Sequence, residues 1–279
     1  MNNKCFRPEY LFRDTPHKDG QAFADYTALD VKVNGDHVYG EIMWPDGSYT
    51  EPRPCVIFFH GFPGTGRNDD LLFSLRRAGC VCVNVHHRGA WGSQGKYLVS
   101  NCVEDAVTVA RHVHGKAFCA KHNVDPDKIF LAGHSMGGNT SVNAARRLKW
   151  LKGIILLAPY NAMLAEQDPK ATMALMKEGL IMNTDGAEAL QKDLVEHAPD
   201  YRFDHAALEL KNMNICCICG SDDALLKYDT VIKPLFDTLK KEGSTAVHQV
   251  KILPATHGLC QSRVAMIRFA AKFIADLVN

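Results

Sequence analysis

Apolar residues fall along the chain in two alternating patterns. Cys55–Phe59, Val81–Val85, Lys128–Ala132, Gly153–Leu157, Ile215–Ile218 and Gln249–Leu253 are short, mainly continuous hydrophobic runs. Such runs predict strands covered on both faces, as in a parallel sheet. Between them the apolar positions recur at steps of three and four. Val103, Ala106, Val107, Ala110, Val113 and Ala117 predict one helix face, and Leu71, Leu72, Leu75 and Ala78 another, stopped by Gly79. Val264, Ile267, Ala271, Ile274 and Val278 predict a terminal helix. Ahead of these, Tyr26–Val33 and His37–Trp44 flank Asn34-Gly35-Asp36, a hairpin signal, so the sheet is expected to open with an antiparallel pair. The expected fold class is α/β, a mostly parallel eight-stranded sheet flanked by helices.

One stretch breaks the alternation. From about Ala162 to Met213 there is helical pattern without a strand. Asp168-Pro169 reads as an N-cap followed by proline at the first helical position, and Thr184–His197 as a second helix stopped near Pro199. Met163, Met173, Leu175, Met176, Leu180, Ile181 and Met182 make the segment rich in flexible apolar side chains. The expected organisation is a core of residues 1–161 and 214–279, interrupted by a small helical cap over residues 162–213.

Composition narrows the class. A chain of 279 residues with 46% hydrophobic and 23% charged content can bury a substantial core and resembles neither a disordered nor a fibrous sequence. A formal net charge of +1, without a basic stripe, speaks against nucleic acid as a partner. Charges interrupt the first twenty residues, and no run approaches the roughly 18 apolar residues needed to cross a bilayer, so a cytoplasmic protein with no membrane partner is expected. Of the ten cysteines, Cys80, Cys82, Cys216, Cys217 and Cys219 lie in strand-like runs and read as small buried hydrophobes. Strand alternation sends Cys216 to the face opposite Cys217 and Cys219, so no metal site is expected there, nor at the pairs His86, His87 and His112, His114.

Three motifs, each after a strand, carry the candidate chemistry. Gly133-His134-Ser135-Met136-Gly137 follows one apolar run and precedes a helix, the context of a nucleophile elbow. A sharp strand-to-helix turn strains the serine backbone and leaves room only for small residues two positions to either side. A serine hydroxyl needs a base within hydrogen-bond reach and a carboxylate to orient that base. Gly220-Ser221-Asp222-Asp223 and Thr256-His257-Gly258 supply them past the ends of the next-to-last and last strands, in the order serine, acid, histidine. Either Asp222 or Asp223 fits the position of the acid.

With these motifs in place the chain resembles the α/β-hydrolase superfamily from about Val56 to His257. Many members carry Gly-x-x-Asp after this strand, which selects Asp223 and leaves Asp222 as a capping residue. His60-Gly61-Phe62-Pro63-Gly64 is similar to the loop that supplies an oxyanion-hole N–H after His-Gly. The resemblance implies Phe62 and Met136 as the two backbone donors, with His60 structural and the Phe62 side chain lining the acyl pocket. Val124–Gly138 and His87–Ser93 look like the corresponding stretches of prolyl-oligopeptidase-like and dienelactone-hydrolase-like enzymes. The His-Gly-Phe-Pro-Gly loop and the short insertion look like bacterial carboxylesterases, including feruloyl and cinnamoyl esterases. Only about fifty residues precede Cys55, too few for the propeller of the large peptidases. Arg88 and Trp91 follow a strand end, but a loop arginine is more often solvated, and neither is assigned a role.

The expected activity is that of a serine hydrolase: Ser135, activated by His257 and Asp223, attacks small to medium carboxylic esters, aromatic acyl esters among them, through an acyl-enzyme. No cofactor is required. The expected partners are a small-molecule ester and, in a homo-oligomer, further copies of the chain. The alternatives are a small peptidase or amidase built from the same parts and, more remotely, a binding protein on a hydrolase scaffold.

Overall fold

A computed structural model describes residues 5–65 and 68–279. Strands β1 (Asp25–Val33) and β2 (Asp36–Trp44) pair antiparallel with Val33 opposite Asp36, so only Asn34 and Gly35 form the turn. Their φ angles, 51° and 96°, are those a two-residue type I′ hairpin requires. The sheet continues through β3 (Arg53–Phe59), β4 (Val81–Val85), β5 (Val124–His134), β6 (Gly153–Leu157), β7 (Ile215–Gly220) and β8 (His248–Leu253). The eight strands lie in the order β1-β2-β4-β3-β5-β6-β7-β8, antiparallel as far as the β2–β4 pair and parallel from β4 onward. This is the mostly parallel sheet that the runs predict. β5 begins earlier than expected because Val124 pairs with Arg53 while Ile129 pairs with Cys55, so residues 125–128 bulge out of the ladder.

Alternation along each central strand feeds two apolar layers. Ile57, Phe59, Leu131, Leu156, Cys217 and Cys219 face one side, Val56, Phe58, Phe130, Ile155 and Cys216 the other. Cys216 thus parts from its neighbours as the strand period predicts. Helices α1 (Asp69–Arg77) and α10 (Arg263–Val278) cover the second face. The first is covered by α2 (Val99–His114), α3 (Lys116–His122), α4 (Met136–Ala145), the helices between β6 and β7, and α9 (Lys233–Lys241).

Three boundaries differ from expectation. The face from Val103 to Ala117 is not one helix: Gly115 is extended (φ −63°, ψ 143°), so α2 stops at His114 and Ala117 belongs to α3. Gly79 does follow the end of α1, with φ 119°. In α10, Val264 is half exposed, its position falling outside the buried stripe. In the stretch 162–213, α5 (Met163–Gln167) and α6 (Pro169–Met176) meet at Asp168, whose carboxylate accepts the Ala171 N–H at 2.9 Å as an N-cap. Helix α7 (Ala187–Tyr201) starts later than expected and runs through Pro199, which falls in its last turn. A short helix, α8 (Phe203–Ala206), follows. Met176 and Met182 are buried while Ile181 is exposed, and the Leu180 side chain lies outside the described residues.

Candidate active site

Ser135 stands between the last residue of β5 and the first of α4, with φ 53° and ψ −115°. That backbone is costly for a residue with a Cβ and persists only where the surroundings impose it. Its N–H donates to the Leu157 carbonyl (2.9 Å), and its own carbonyl accepts from Gly138 (2.9 Å) and Tyr160 (2.8 Å). The flanking glycines are sterically required. A Cβ at Gly133 would lie 2.1 Å from the Gly137 carbonyl oxygen, and one at Gly137 2.0 Å from that of Phe59. At Gly138 it would lie 2.5 Å from the Pro159 side chain.

Past the ends of β7 and β8, Asp223 and His257 meet: Nδ1 of His257 donates to Oδ2 of Asp223 at 2.9 Å. The other oxygen, Oδ1, accepts the N–H groups of Leu225 (3.0 Å) and Leu226 (2.9 Å). Burial alone would raise the Asp223 carboxyl, but the bond to His257 and the two backbone donors outweigh it and hold the group below its usual range. With Nδ1 committed as donor, Nε2 carries the lone pair a base needs. Asp222 is exposed, and its carboxylate accepts only from the adjacent Ser221 hydroxyl at 3.0 Å among the described residues. Among the described residues no hydrogen bond joins Ser135 Oγ to His257. Such contacts are often long before substrate is bound.

Sequence reasoning gave His134 no role, yet its Nε2–H donates to the His257 carbonyl at 3.0 Å and its ring centroid lies 5.0 Å from that of His257. Burial pushes its imidazole down to about 4, so the ring is neutral and ties the elbow to the loop carrying His257. The only sequence signal was its place just before the serine.

The loop after β3 closes on the elbow. A Cβ on Gly61 would lie 3.1 Å from both Ser135 Cβ and the His134 carbonyl oxygen, so a side chain there would press on the elbow. Among the described residues neither the Phe62 nor the Met136 N–H has an acceptor. The Phe62 ring lies 5.8 Å from Tyr97, and a Cβ on Gly179 would come within 2.7 Å of Phe62 Cζ and 3.0 Å of Leu190 Cδ1. The segment between β6 and β7 therefore touches this loop. It is also stitched to the segment after β4: Asn183 N–H donates to the Gly89 carbonyl (2.8 Å), and Tyr97 N–H to the Asn183 carbonyl (2.9 Å). His60 is buried, and burial beside His87 pushes its imidazole down to about 3, a neutral and structural ring.

Arg88 is buried, not solvated as expected, because Asp105 and Glu104 on α2 take its guanidinium donors at 2.6 and 2.8 Å. Trp91 has a positive φ of 49°, is 47% exposed and packs its indole nitrogen against Gly64. Among the described residues no three metal-ligating side chains converge, and no helix is long and apolar enough to cross a membrane.

Residues 50–209 match the model of a family described as serine aminopeptidase, S33. The monoglyceride lipase of Mus musculus is 27% identical over 153 residues, 54% of this chain and 48% of that protein. A lysophosphatidylserine lipase, ABHD12 of Danio rerio, is 21% identical over 77% of this chain and 55% of its own length. The chain thus spans about half the length of the curated relatives it matches. Brefeldin A esterase, a bacterial homologue of human hormone-sensitive lipase, superposes with a TM-score of 0.69 at 19% identity, over 96% of this chain and 81% of that one. Est1E of Butyrivibrio proteoclasticus, solved with ferulic acid, gives 0.66 at 17%, over 90% and 99%. Acylaminoacyl peptidase of Pyrococcus horikoshii gives 0.66 at 17%, over 91% and 41%. At these identities the structures establish the fold, which is the α/β-hydrolase fold.

Proposed function

The chain belongs to the serine aminopeptidase S33 family of hydrolases, and from that membership we propose that it cleaves small to medium carboxylic esters through an acyl-enzyme on Ser135. The observation that carries this reading is the buried Asp223 carboxylate bonded to His257 Nδ1 at 2.9 Å, in a site that also holds an elbow serine and two N–H groups with no acceptor among the described residues. His257 Nε2 takes the Ser135 proton as Oγ attacks the ester carbonyl. Asp223 keeps the imidazole in the right tautomer and stabilises the imidazolium. The N–H groups of Phe62 and Met136 bind the oxyanion, His257 returns the proton to the leaving alcohol, and water then releases the acid by the same steps.

The segment 162–213 acts as the cap. Support comes from Gly179, which sits against the Phe62 ring, and from Asn183, which fastens the segment beside the site. The partly exposed ring of Phe62 suits a flat acyl group, and the Est1E structure was solved with ferulic acid. All ten cysteines are free, which fits a reducing compartment such as the cytoplasm.

A second reading, amide or peptide hydrolysis, draws on the aminopeptidase description of the family and on the acylaminoacyl peptidase fold neighbour. Initial rates on a panel of p-nitrophenyl acyl esters and aminoacyl p-nitroanilides separate the two. Ester turnover dominates under the first reading. Strong anilide turnover with negligible ester turnover establishes the second.

A further inference from the structure

Behind the loop that carries Phe62 lies a buried polar cluster that the steps above do not use. Asp105, on α2, is fully buried and faces the segment after β4. It accepts Arg88 N–H at 2.9 Å and Arg88 Nε–H at 2.6 Å, and its Oδ2 stands 3.4 Å from His87 Nδ1. The remaining guanidinium donors of Arg88 reach the Asn101 carbonyl (3.3 Å) and Glu104 (2.8 Å) on the same helix. Residues 87 and 88 are thereby clamped to α2. The His87 ring is 1% exposed, with neither nitrogen hydrogen-bonded among the described residues. It stacks on Phe59 at 5.4 Å and meets His60 edge-on at 5.0 Å, while the His87 N–H points at His60 Nε2 from 3.4 Å. His60 in turn donates from Nδ1 to the Gly61 carbonyl at 2.8 Å.

That last bond matters because the Gly61 carbonyl and the Phe62 N–H belong to one planar peptide unit. Fixing the oxygen of a trans-planar unit fixes the direction of its N–H. A hydrogen bond accepted by the carbonyl also polarises the N–H and strengthens it as a donor. A buried arginine–aspartate pair is a poor device for stability alone, since desolvating both charges offsets most of their attraction. Its geometric consequence here is a clamped backbone at residues 87–88 against which the His60 ring is set.

We propose that Asp105 is a positioning residue for the oxyanion hole, acting through Arg88, His87 and His60 on the Gly61–Phe62 peptide. This rests on the reading of Phe62 N–H as an oxyanion donor. The test pairs Asp105→Asn with the double variant Arg88→Met, Asp105→Leu. The double variant removes the clamp without stranding a buried charge, so it separates positioning from folding. For each variant, kcat and KM on an acyl ester are measured beside the affinity for an alkylboronic acid, whose serine adduct is tetrahedral like the transition state. The expected result is a fall in kcat of roughly ten- to a hundredfold, with KM little changed and boronate affinity reduced by the same factor. The pH at which kcat/KM rises on the acid side of its profile should not move, because His257 and Asp223 are untouched. A folded variant that keeps wild-type kcat and boronate affinity overturns the proposal, as does a loss expressed only in KM. Failure of both variants to fold also counts against it, since the pair then carries the fold and not the loop. No boronate binding by the unmodified enzyme would instead overturn the acyl-transfer reading beneath it.

Discussion

Asp222 and Asp223 are adjacent, identical in chemistry and both past the end of β7, yet only one is buried against His257. Asp223→Asn should therefore lower kcat by about three to four orders of magnitude, because an amide cannot hold the imidazole in the reactive tautomer. Asp222→Asn should stay within about twofold, as expected for an exposed residue away from the reacting groups. Steady-state rates on one good ester check both, and equal losses would remove the acid from its assigned place. The residues themselves could not separate the two, since the difference lies in how the chain turns at 223–226 and presents two N–H groups to one carboxylate. The glycines of the elbow were legible for the opposite reason. Their constraint is local and steric, and the structure puts backbone oxygens about 2 Å from where a Cβ at Gly133 or Gly137 would stand. His134 was hidden because its partner, the His257 carbonyl, is 123 positions away in the chain.

Among the elements, those set by a strong repeating pattern were legible, and those set by a single breaker were not. The six central runs became strands, and the Asn34-Gly35 turn fixed the first hairpin's register. Gly115 and Pro199 reversed the expectation, one splitting a predicted helix and the other tolerated inside a helix end, because tertiary packing overrides local propensity. Within the insertion the contact of Gly179 with Phe62 and Leu190 gives a direct test of the cap. Gly179→Val should press on the Phe62 ring and lower kcat/KM for aromatic acyl esters about tenfold relative to the acetyl ester, the scale set by one or two methyl groups in an apolar pocket. An unchanged ratio in a folded variant would detach residues 162–213 from the site.

For the molecule as a whole, two buried neutral imidazoles shape the response to acid. The folded-state values of His60 and His134 are pushed down to about 3 and about 4, from an ordinary value of 6.5. Below 6.5 the unfolded chain takes up protons that the folded chain refuses, so their contribution is full above 6.5 and is lost as pH falls toward 4. For His134 the loss is on the order of 3 kcal/mol at about 1.4 kcal/mol per pKa unit. Urea midpoints measured from pH 7 to pH 4 should fall accordingly, and His134→Gln should flatten the slope; a slope unchanged in that variant would show the ring titrating freely in the folded state. The central claim is that a strained Ser135 is the nucleophile of this molecule. Its most direct test is labelling with a fluorophosphonate followed by peptide mass mapping, in the unmodified protein and in Ser135→Ala. One adduct is expected, on the peptide containing Ser135, and none in a Ser135→Ala variant that melts as the unmodified protein does. An adduct on another residue, or labelling that persists in Ser135→Ala, would contradict it.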